Sequence, residues 1–277
     1  MNILYCGDIN IIDGLIISIL SLLKNTDEEL HIYVFTMNYE SKEKKYKSMP
    51  KEYIDELDKI VKNKNKNNFV KLLDITEIVN KCLPLANINT IFTPFCMLRL
   101  YADEVKELPS KILYLDNDVV CLKNPNELYN MDNTNYEIIG VLDYYGRKIY
   151  KKNLFKEHYI NSGVLLLNLD LIRETGLFEK CRKKCKKTKM LLPDQSAINM
   201  YVKHRLIVDS RYNDQKRITQ NTVFRHFTTT FKFFPVFKTQ KIKPWNIDKL
   251  HNVLKVYVID DILEEYKKIL RRIKDEE

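Results

Sequence analysis

Glycine is scarce, with six residues in a chain of 277. Neither G-x-G-x-x-G nor G-x-x-x-x-G-K-[ST] occurs, so the backbone offers no phosphate-cradling loop. Any phosphate bound here must be held by cationic side chains or by a metal. Long apolar runs are also missing. The run from Ile11 to Leu23 is broken by Asp13, Gly14, Ser18 and Ser21, is too short to cross a bilayer, and lacks the basic stretch that precedes a secretory segment. A cytoplasmic location is the expectation. The six cysteines, at positions 6, 82, 96, 121, 181 and 185, are scattered and read as reduced, small apolar residues. Cys181 and Cys185 are one helical turn apart, but no neighbouring His or Cys completes a zinc set.

What is present is an ordinary globular composition, 45% hydrophobic, long enough to bury a sizeable core, with a net charge of +9. Part of that charge is concentrated between Lys180 and Lys189. Such a run is either the solvated face of a helix or a contact for anionic ligands or anionic lipid at the inner face of the cytoplasmic membrane. It contains no interleaved aromatic, which argues against stacking of single-stranded nucleic acid, and no specific nucleic-acid partner is expected.

The order of apolar periods predicts an α/β protein. Asn2–Cys6 is a short apolar strand, and residues 12, 15, 16, 19, 20 and 23 mark the buried face of a helix over Ile12–Lys24. Leu30–Thr36 is a second strand, which makes a β-α-β opening. An exposed helix over Pro50–Lys66, a strand over Phe69–Ile75 and a helix beginning at Thr93-Pro94, with Thr as N-cap, follow. Further strands are expected at Glu137–Leu142, ending at Asp143, and at Tyr159–Leu169, which carries Asn161-Ser162-Gly163. A glycine inside a strand marks close approach of a ligand or of another backbone. Pro193 and Asp194 open another helix, where Asp194 suits the positive end of the helix dipole. A charged helix from about Asp261 closes the chain. One α/β domain over 1–230, with a basic, aromatic segment and helix over 231–277, is the economical division.

The densest chemistry lies in residues 112–120, Ile-Leu-Tyr-Leu-Asp-Asn-Asp-Val-Val. An apolar run reads as a buried parallel strand, and open α/β sheets bind ligands at the carboxyl ends of their strands. Asp116 and Asp118 are therefore expected in a crevice, where a slight turn lets both carboxylates reach one cation. Two such charges without a partner would cost several kcal/mol, and a hard divalent ion, Mn²⁺ or Mg²⁺, meets that need. The alternative is a solvated turn after a strand.

Taken in order, the opening Asn2-Ile-Leu-Tyr-Cys-Gly-Asp-Ile-Asn10, Arg99, Lys111-Ile-Leu-Tyr-Leu-Asp-Asn-Asp118, Tyr159-Ile-Asn-Ser-Gly-Val-Leu-Leu-Leu-Asn168, Asp194-Gln195, His226 and Lys243-Pro-Trp245 resemble glycosyltransferase family 8. These are retaining galactosyl- and glucosyltransferases, which include bacterial lipooligosaccharide galactosyltransferases and glycogenin. The resemblance implies a GT-A type nucleotide-sugar-binding fold, a mostly parallel central sheet flanked by helices with a C-terminal extension. It implies that Asp116, Asp118 and His226 ligate Mn²⁺, and that Asp8, Asn10, Asn117 and Lys243 bind UDP. It also places Arg99, Asp143, Asn161, Gly163 and Asp194 around the donor sugar or acceptor, with Gln195 beside the reacting carbon. The implied activity is transfer of galactose or glucose from a UDP-sugar to a glycan, lipid-linked or protein-linked acceptor in bacterial surface-glycan assembly. The chain departs from the family at Ile11, where an aromatic often stacks on uracil, and in the 17 residues from His226 to Lys243, a spacing stretched by Thr228–Ile242.

An amide is a poor nucleophile, so Gln195 disfavours the two-carboxylate route of retaining glycosidases and favours attack from the leaving-group side, with Asp194 as the alternative nucleophile. Two other readings use the same residues. A nucleotidyl- or phosphotransferase also places Asp-x-Asp at a strand end, but such enzymes usually have a glycine-rich loop. A non-catalytic polyanion- or membrane-binding module would not need the Asp pair.

Overall fold

The computed structural model describes residues 1–41, 44–88, 93–146, 158–232 and 238–275. Nine strands carry the architecture: β1 Asn2–Cys6, β2 His31–Thr36, β3 Phe69–Asp74, β4 Lys111–Leu115, β5 Val119–Cys121, β6 Ile138–Leu142, β7 Ile160–Asn168, β8 Arg205–Ile207 and β9 Phe224–His226. Seven of them form one sheet in the order β8-β6-β7-β4-β1-β2-β3. Pairing is parallel for β1 with β2 and β4, for β2 with β3, and for β6 with β8. β7 alone runs against its neighbours β4 and β6. Its residues 160–167 are buried, as a strand covered on both faces must be.

The apolar run stops at the Asp pair, as expected, and the structure adds a second strand just beyond it. β4 ends at Leu115, the chain turns with Val119 N–H donating to the Asp116 carbonyl (3.1 Å), and β5 leaves the main sheet to pair antiparallel with β9. His226 lies opposite Val119 in that pair. The Asp-Asn-Asp turn therefore joins two sheets, and a histidine more than a hundred residues away is brought beside it.

The first helix, α1 (Ile12–Asn25), is buried more completely than its apolar period predicts. Ile17, Ser18 and Ser21 are buried along with Leu15, Ile16 and Ile19, whereas Leu20 and Leu23 are only partly covered. The closing helix Asp260–Asp275 covers the second side. Ile262, Leu263, Tyr266 and Ile269 join the same apolar cluster as α1, and Tyr266 Oη donates to Asp13 (2.7 Å). Each apolar side chain so covered contributes roughly 1.5–3 kcal/mol. The buried hydroxyls are satisfied: Ser18 bonds Tyr5 Oη (2.8 Å), and Ser21 accepts from Cys121 N–H (2.8 Å) while donating to the Ser18 carbonyl (2.6 Å). Gly14 allows the start of α1 to press on the Asp-Asn-Asp turn, since a Cβ there would lie 2.3 Å from the Asn117 carbonyl oxygen.

The helix expected to begin at Thr93-Pro94 is present as a 3-10 helix over Pro94–Glu104, but Thr93 makes no side-chain cap, which corrects its reading as N-cap. Eight of its eleven residues, Arg99 included, are buried, so the segment is packed from all sides instead of along one face. The basic run lies on the helix Leu177–Lys187, whose Leu177, Phe178, Cys181, Arg182 and Cys185 face the core. Lys180, Lys183, Lys186 and Lys187 are exposed. All six cysteines are free. Among the described residues no helix is long and apolar enough to cross a membrane.

Candidate active site

Parallel strands deliver their C-terminal residues to one edge of the sheet. Asp8 follows β1, Asp116 follows β4 and Asp143 follows β6, while Asn161, Ser162 and Gly163 stand at the start of the reversed β7. One polar cleft edge thus collects residues from four strands. Asp8 is buried and accepts from Asn10 N–H (3.1 Å) and Asn10 Nδ2 (3.0 Å), which caps the turn leading into α1. Asn10 is exposed and Asn117 half-buried.

Asp116, Asp118 and His226 each place one ligand atom within 4.8 Å of the others, the only such group of three among the described residues. The half-buried Asp116 fits the expected crevice, but Asp118 is 6% exposed. Burial alone would raise the pKa of Asp118. The adjacent ammonium of Lys243 outweighs it and holds the carboxylate below its usual range, so it stays ionised.

Hydrogen-bond polarity fixes the histidine. Asp143 only accepts, so the group it receives from Asn161 (2.8 Å) is the amide nitrogen, and Asn161 Oδ1 must accept from Asn213 Nδ2 (2.9 Å). Asn213 Oδ1 then faces His226 Nδ1 (3.0 Å), which carries the proton. In the neutral ring Nε2 is left with its lone pair, 3.2 Å from Asp118 Oδ1 and 3.7 Å from Asp116 Oδ2. Asp118 Oδ1 is buried with no hydrogen-bond donor. Three acceptors converging without a proton between them fit a divalent cation, and the chain of amides behind the ring supplies the support that metal-bound histidines require.

The rest of the polar edge is a closed network. Arg99, 2% exposed, donates from Nη2 to Asp116 Oδ1 (2.8 Å), lies 3.3 Å by Nε from Asp194 Oδ2, and stacks 3.9 Å over the Tyr114 ring. Tyr114 Oη donates to the same Asp116 oxygen (2.7 Å). Asp194 lies in the first turn of the helix Pro193–Tyr201, as expected, and takes Arg99 and the Ser162 hydroxyl (3.1 Å). Gln195 donates to Asp143 Oδ2 (2.9 Å) and accepts from Ser162 N–H (3.0 Å) and Asn161 Nδ2 (3.2 Å). Asp143 also accepts from Tyr145 N–H (2.8 Å) and Gly146 N–H. The residues tied by resemblance to the donor sugar, Arg99, Asp143, Asn161, Gly163 and Asp194, are therefore all brought together, largely bonding one another.

Lys243 reaches the cluster despite its distance in sequence. The intervening chain includes a two-stranded pair, Thr230–Lys232 with Lys238–Gln240, that returns it to the site. Its Nζ donates to Asp118 Oδ2 and to the Phe227 carbonyl (3.0 Å). Ser162, Tyr114 and Asn213 were not singled out in the sequence. Ser162 sits inside a noticed tripeptide, but nothing local marks Asn213, thirteen residues from the ring it supports.

Gly163 is closely approached, but by the side chains of His226 and Asp116 instead of the ligand or backbone expected. A Cβ there would lie 2.2 Å from His226 Cε1 and 2.9 Å from Asp116 Oδ2, closer than atoms can pack. Gly163→Ala is accordingly expected to push the imidazole off the Asp pair and weaken divalent-metal binding about tenfold or more, as loss of a supporting contact at a metal site typically does. Calorimetric titration with Mn²⁺ measures this, and unchanged affinity would mean that the ring is not held where described.

A family model described as Glycosyl transferase family 8 matches residues 2–247. A putative glycosyltransferase of Haemophilus influenzae is 26% identical over 223 residues, covering 77% of this chain and 63% of that protein. Lipopolysaccharide 1,3-galactosyltransferase of Salmonella typhimurium is 25% identical, with the same coverage of 77% and 63%. The chain thus spans under two thirds of the length of these relatives. Among solved structures, galactosyltransferase LgtC in complex with donor and acceptor sugar analogues superposes with a TM-score of 0.66 at 17% identity, covering 97% of this chain and 96% of that one. That likeness shows the GT-A type fold. Because the family match runs from β1 past Lys243 and Trp245, it takes in every residue gathered at the cleft edge, and the chain belongs to glycosyl transferase family 8.

Proposed function

We propose that the chain transfers a hexose, galactose or glucose, from a UDP-sugar to a glycan, glycolipid or glycoprotein acceptor in bacterial surface-glycan assembly, with retention at the anomeric carbon. The observation that carries this is the convergence of Asp116, Asp118 and the bare Nε2 of His226 at the carboxyl edge of the sheet. The named activity of the Salmonella relative and the sugar complex of LgtC support it. Carboxylates with one imidazole suit Mn²⁺ better than Mg²⁺, which prefers oxygen and water. When bound, such an ion offsets the negative charge that grows on a departing diphosphate.

The chain's own residues do the rest. Asp8, Asn10 and Asn117 bind the uridine half of the donor, and Lys243, with its ammonium already at Asp118, donates to the phosphate oxygens. Arg99 holds the carboxylates of Asp116 and Asp194 in place, so that Asp194 accepts from sugar hydroxyls. Gln195 is locked by Asp143, Ser162 and Asn161 and is no nucleophile. The acceptor hydroxyl therefore attacks from the leaving-group side, and a donor phosphate oxygen takes its proton. The enzyme works in the cytoplasm, where the exposed lysines of Leu177–Lys187 give it a peripheral hold on anionic lipid.

Calorimetry with UDP, in the presence and absence of Mn²⁺, tests this reading. Binding that needs the metal, together with slow UDP release from UDP-galactose or UDP-glucose, is the expected result. Metal-independent binding with no release from any UDP-sugar would sink it, and diphosphate formed from a sugar 1-phosphate and a nucleoside triphosphate would replace it with nucleotidyl transfer.

A further inference from the structure

Three arginines are almost wholly buried among the described residues, Arg99, Arg182 and Arg225, each at most 4% exposed. Two are doubly neutralised. Arg99 lies between Asp116 and Asp194, and Arg182 between Asp103 and Glu104. Arg225 forms no ion pair with any described residue. Its Nη1 donates to the Asp214 carbonyl (2.6 Å), its guanidinium lies 5.0 Å from the centre of the Phe227 ring, and its Nε is buried without a partner. The nearby Asp214 carboxylate is committed elsewhere, accepting from Lys216 N–H (3.2 Å), Arg217 N–H (3.1 Å) and the Thr222 hydroxyl (3.0 Å). A buried cation without a counter-ion costs several kcal/mol.

The surroundings add to the imbalance. Arg225 follows Phe224 and precedes His226 on β9, so the side chains of Arg225 and His226 leave opposite faces of the strand. His226 turns to the Asp pair, and Arg225 lines a cavity of about 440 Å³ together with Lys216, Arg217 and Lys255. No carboxylate lines that cavity. Lys216, Arg217 and Lys255 are exposed, and none is ion-paired to a described residue. The remaining wall is apolar and includes Tyr257, which is 54% exposed.

We propose that this groove is an anion site for a phosphoryl group carried on a sugar, separate from the Asp116–Asp118–His226 cluster. Four cations with no acid exceed what a single carboxylate neutralises, whereas a phosphoryl group brings about −1.5 to −2 charges and three acceptor oxygens that a guanidinium fork can bind. The cavity is of the size that holds a small ligand, roughly 300–1,000 Å³. Tyr257 stacks on His251 with ring centres 4.8 Å apart, and its exposed side offers an apolar surface for the sugar ring. A bilayer surface would meet the exposed lysines but would not reach Arg225 at the base. Within the transferase reading, such a site fits a phosphorylated acceptor, although the groove itself stands whether or not that reading holds.

Titrating the metal-free chain, in chelator, with glucose 6-phosphate by calorimetry tests the proposal. Saturable binding is expected, with glucose alone silent. Arg225→Gln should weaken it about tenfold, the size of one charge-assisted bidentate contact. Since that buried residue could also be needed for folding, the doubly exposed variant K216Q/R217Q provides an independent arm and should weaken binding several-fold with an unchanged melting temperature. Asp118→Asn should leave this binding intact while abolishing metal-dependent UDP binding, which separates failure here from failure of the donor site. Absence of binding, insensitivity to both groove variants, or loss of binding in Asp118→Asn would each overturn the proposal. So would attachment to phosphatidylglycerol vesicles, lost in K216Q/R217Q, from a chain that ignores glucose 6-phosphate.

Discussion

Asp118→Asn is expected to lower Mn²⁺ affinity about a hundredfold and hexosyl transfer by a factor of about 10²–10³, while the fold survives. The substitution keeps the shape of the side chain and removes its charge. Asp118 Oδ1 is the buried oxygen without a donor, 3.2 Å from His226 Nε2, and an amide would place either a weaker acceptor or a hydrogen there. Lys243 loses its carboxylate partner, but it is partly exposed, 15% by side chain, and can turn to water. A neutral isostere also avoids the cost of a buried charge, so the melting temperature should move little. Calorimetry with Mn²⁺, the rate of UDP release and a thermal melt together decide the matter. A variant that binds the ion within about threefold of the parent would remove Asp118 from the ligand set.

Arg99→Leu should act in the opposite way, on stability first. The guanidinium joins two carboxylates, a backbone carbonyl of its own segment (Cys96, 2.8 Å), the Ser162 carbonyl and the face of Tyr114. Removing it leaves Asp194, 5% exposed, and Asp116 as neighbouring negative charges with no cation between them. Breaking a buried pair in this way costs about 3–5 kcal/mol, or roughly 10 °C in melting temperature for a chain of this size. Arg99→Lys should recover only part of the loss, since one ammonium cannot bridge two carboxylates as a planar fork does. A melting temperature within about 2 °C of the parent in Arg99→Leu would show that solvent, not Arg99, compensates these acids.

Both predictions depend on contacts whose partners are far apart in the chain, and this marks what could be read from sequence. Local patterns give β1, α1 and β2 within a residue or two, because an apolar run and a helical period are set by neighbours three or four positions away. They also mark Asp116 and Asp118 at a strand end. They overestimate the exposed side of α1, since the closing helix that covers it lies some 240 residues further on in the chain. They find a helix beginning at Thr93-Pro94 but not its 3-10 form, because a segment packed on all sides shows no face. They give Arg99 no partner, because the acids that neutralise it come from two other elements.

The chain's letters by themselves determine the β-α-β opening, the carboxylate pair and the absence of a glycine loop, all consequences of neighbouring residues and composition. Only the tertiary structure decides that His226 carries its proton on Nδ1, that Lys243 returns to Asp118 across a stretched spacing, and that Arg225 is buried without an acid. The physical reason is the same in each case. A proton's position or a charge's partner is set by the nearest polar atom in space, and burial removes the water that would otherwise make that choice indifferent.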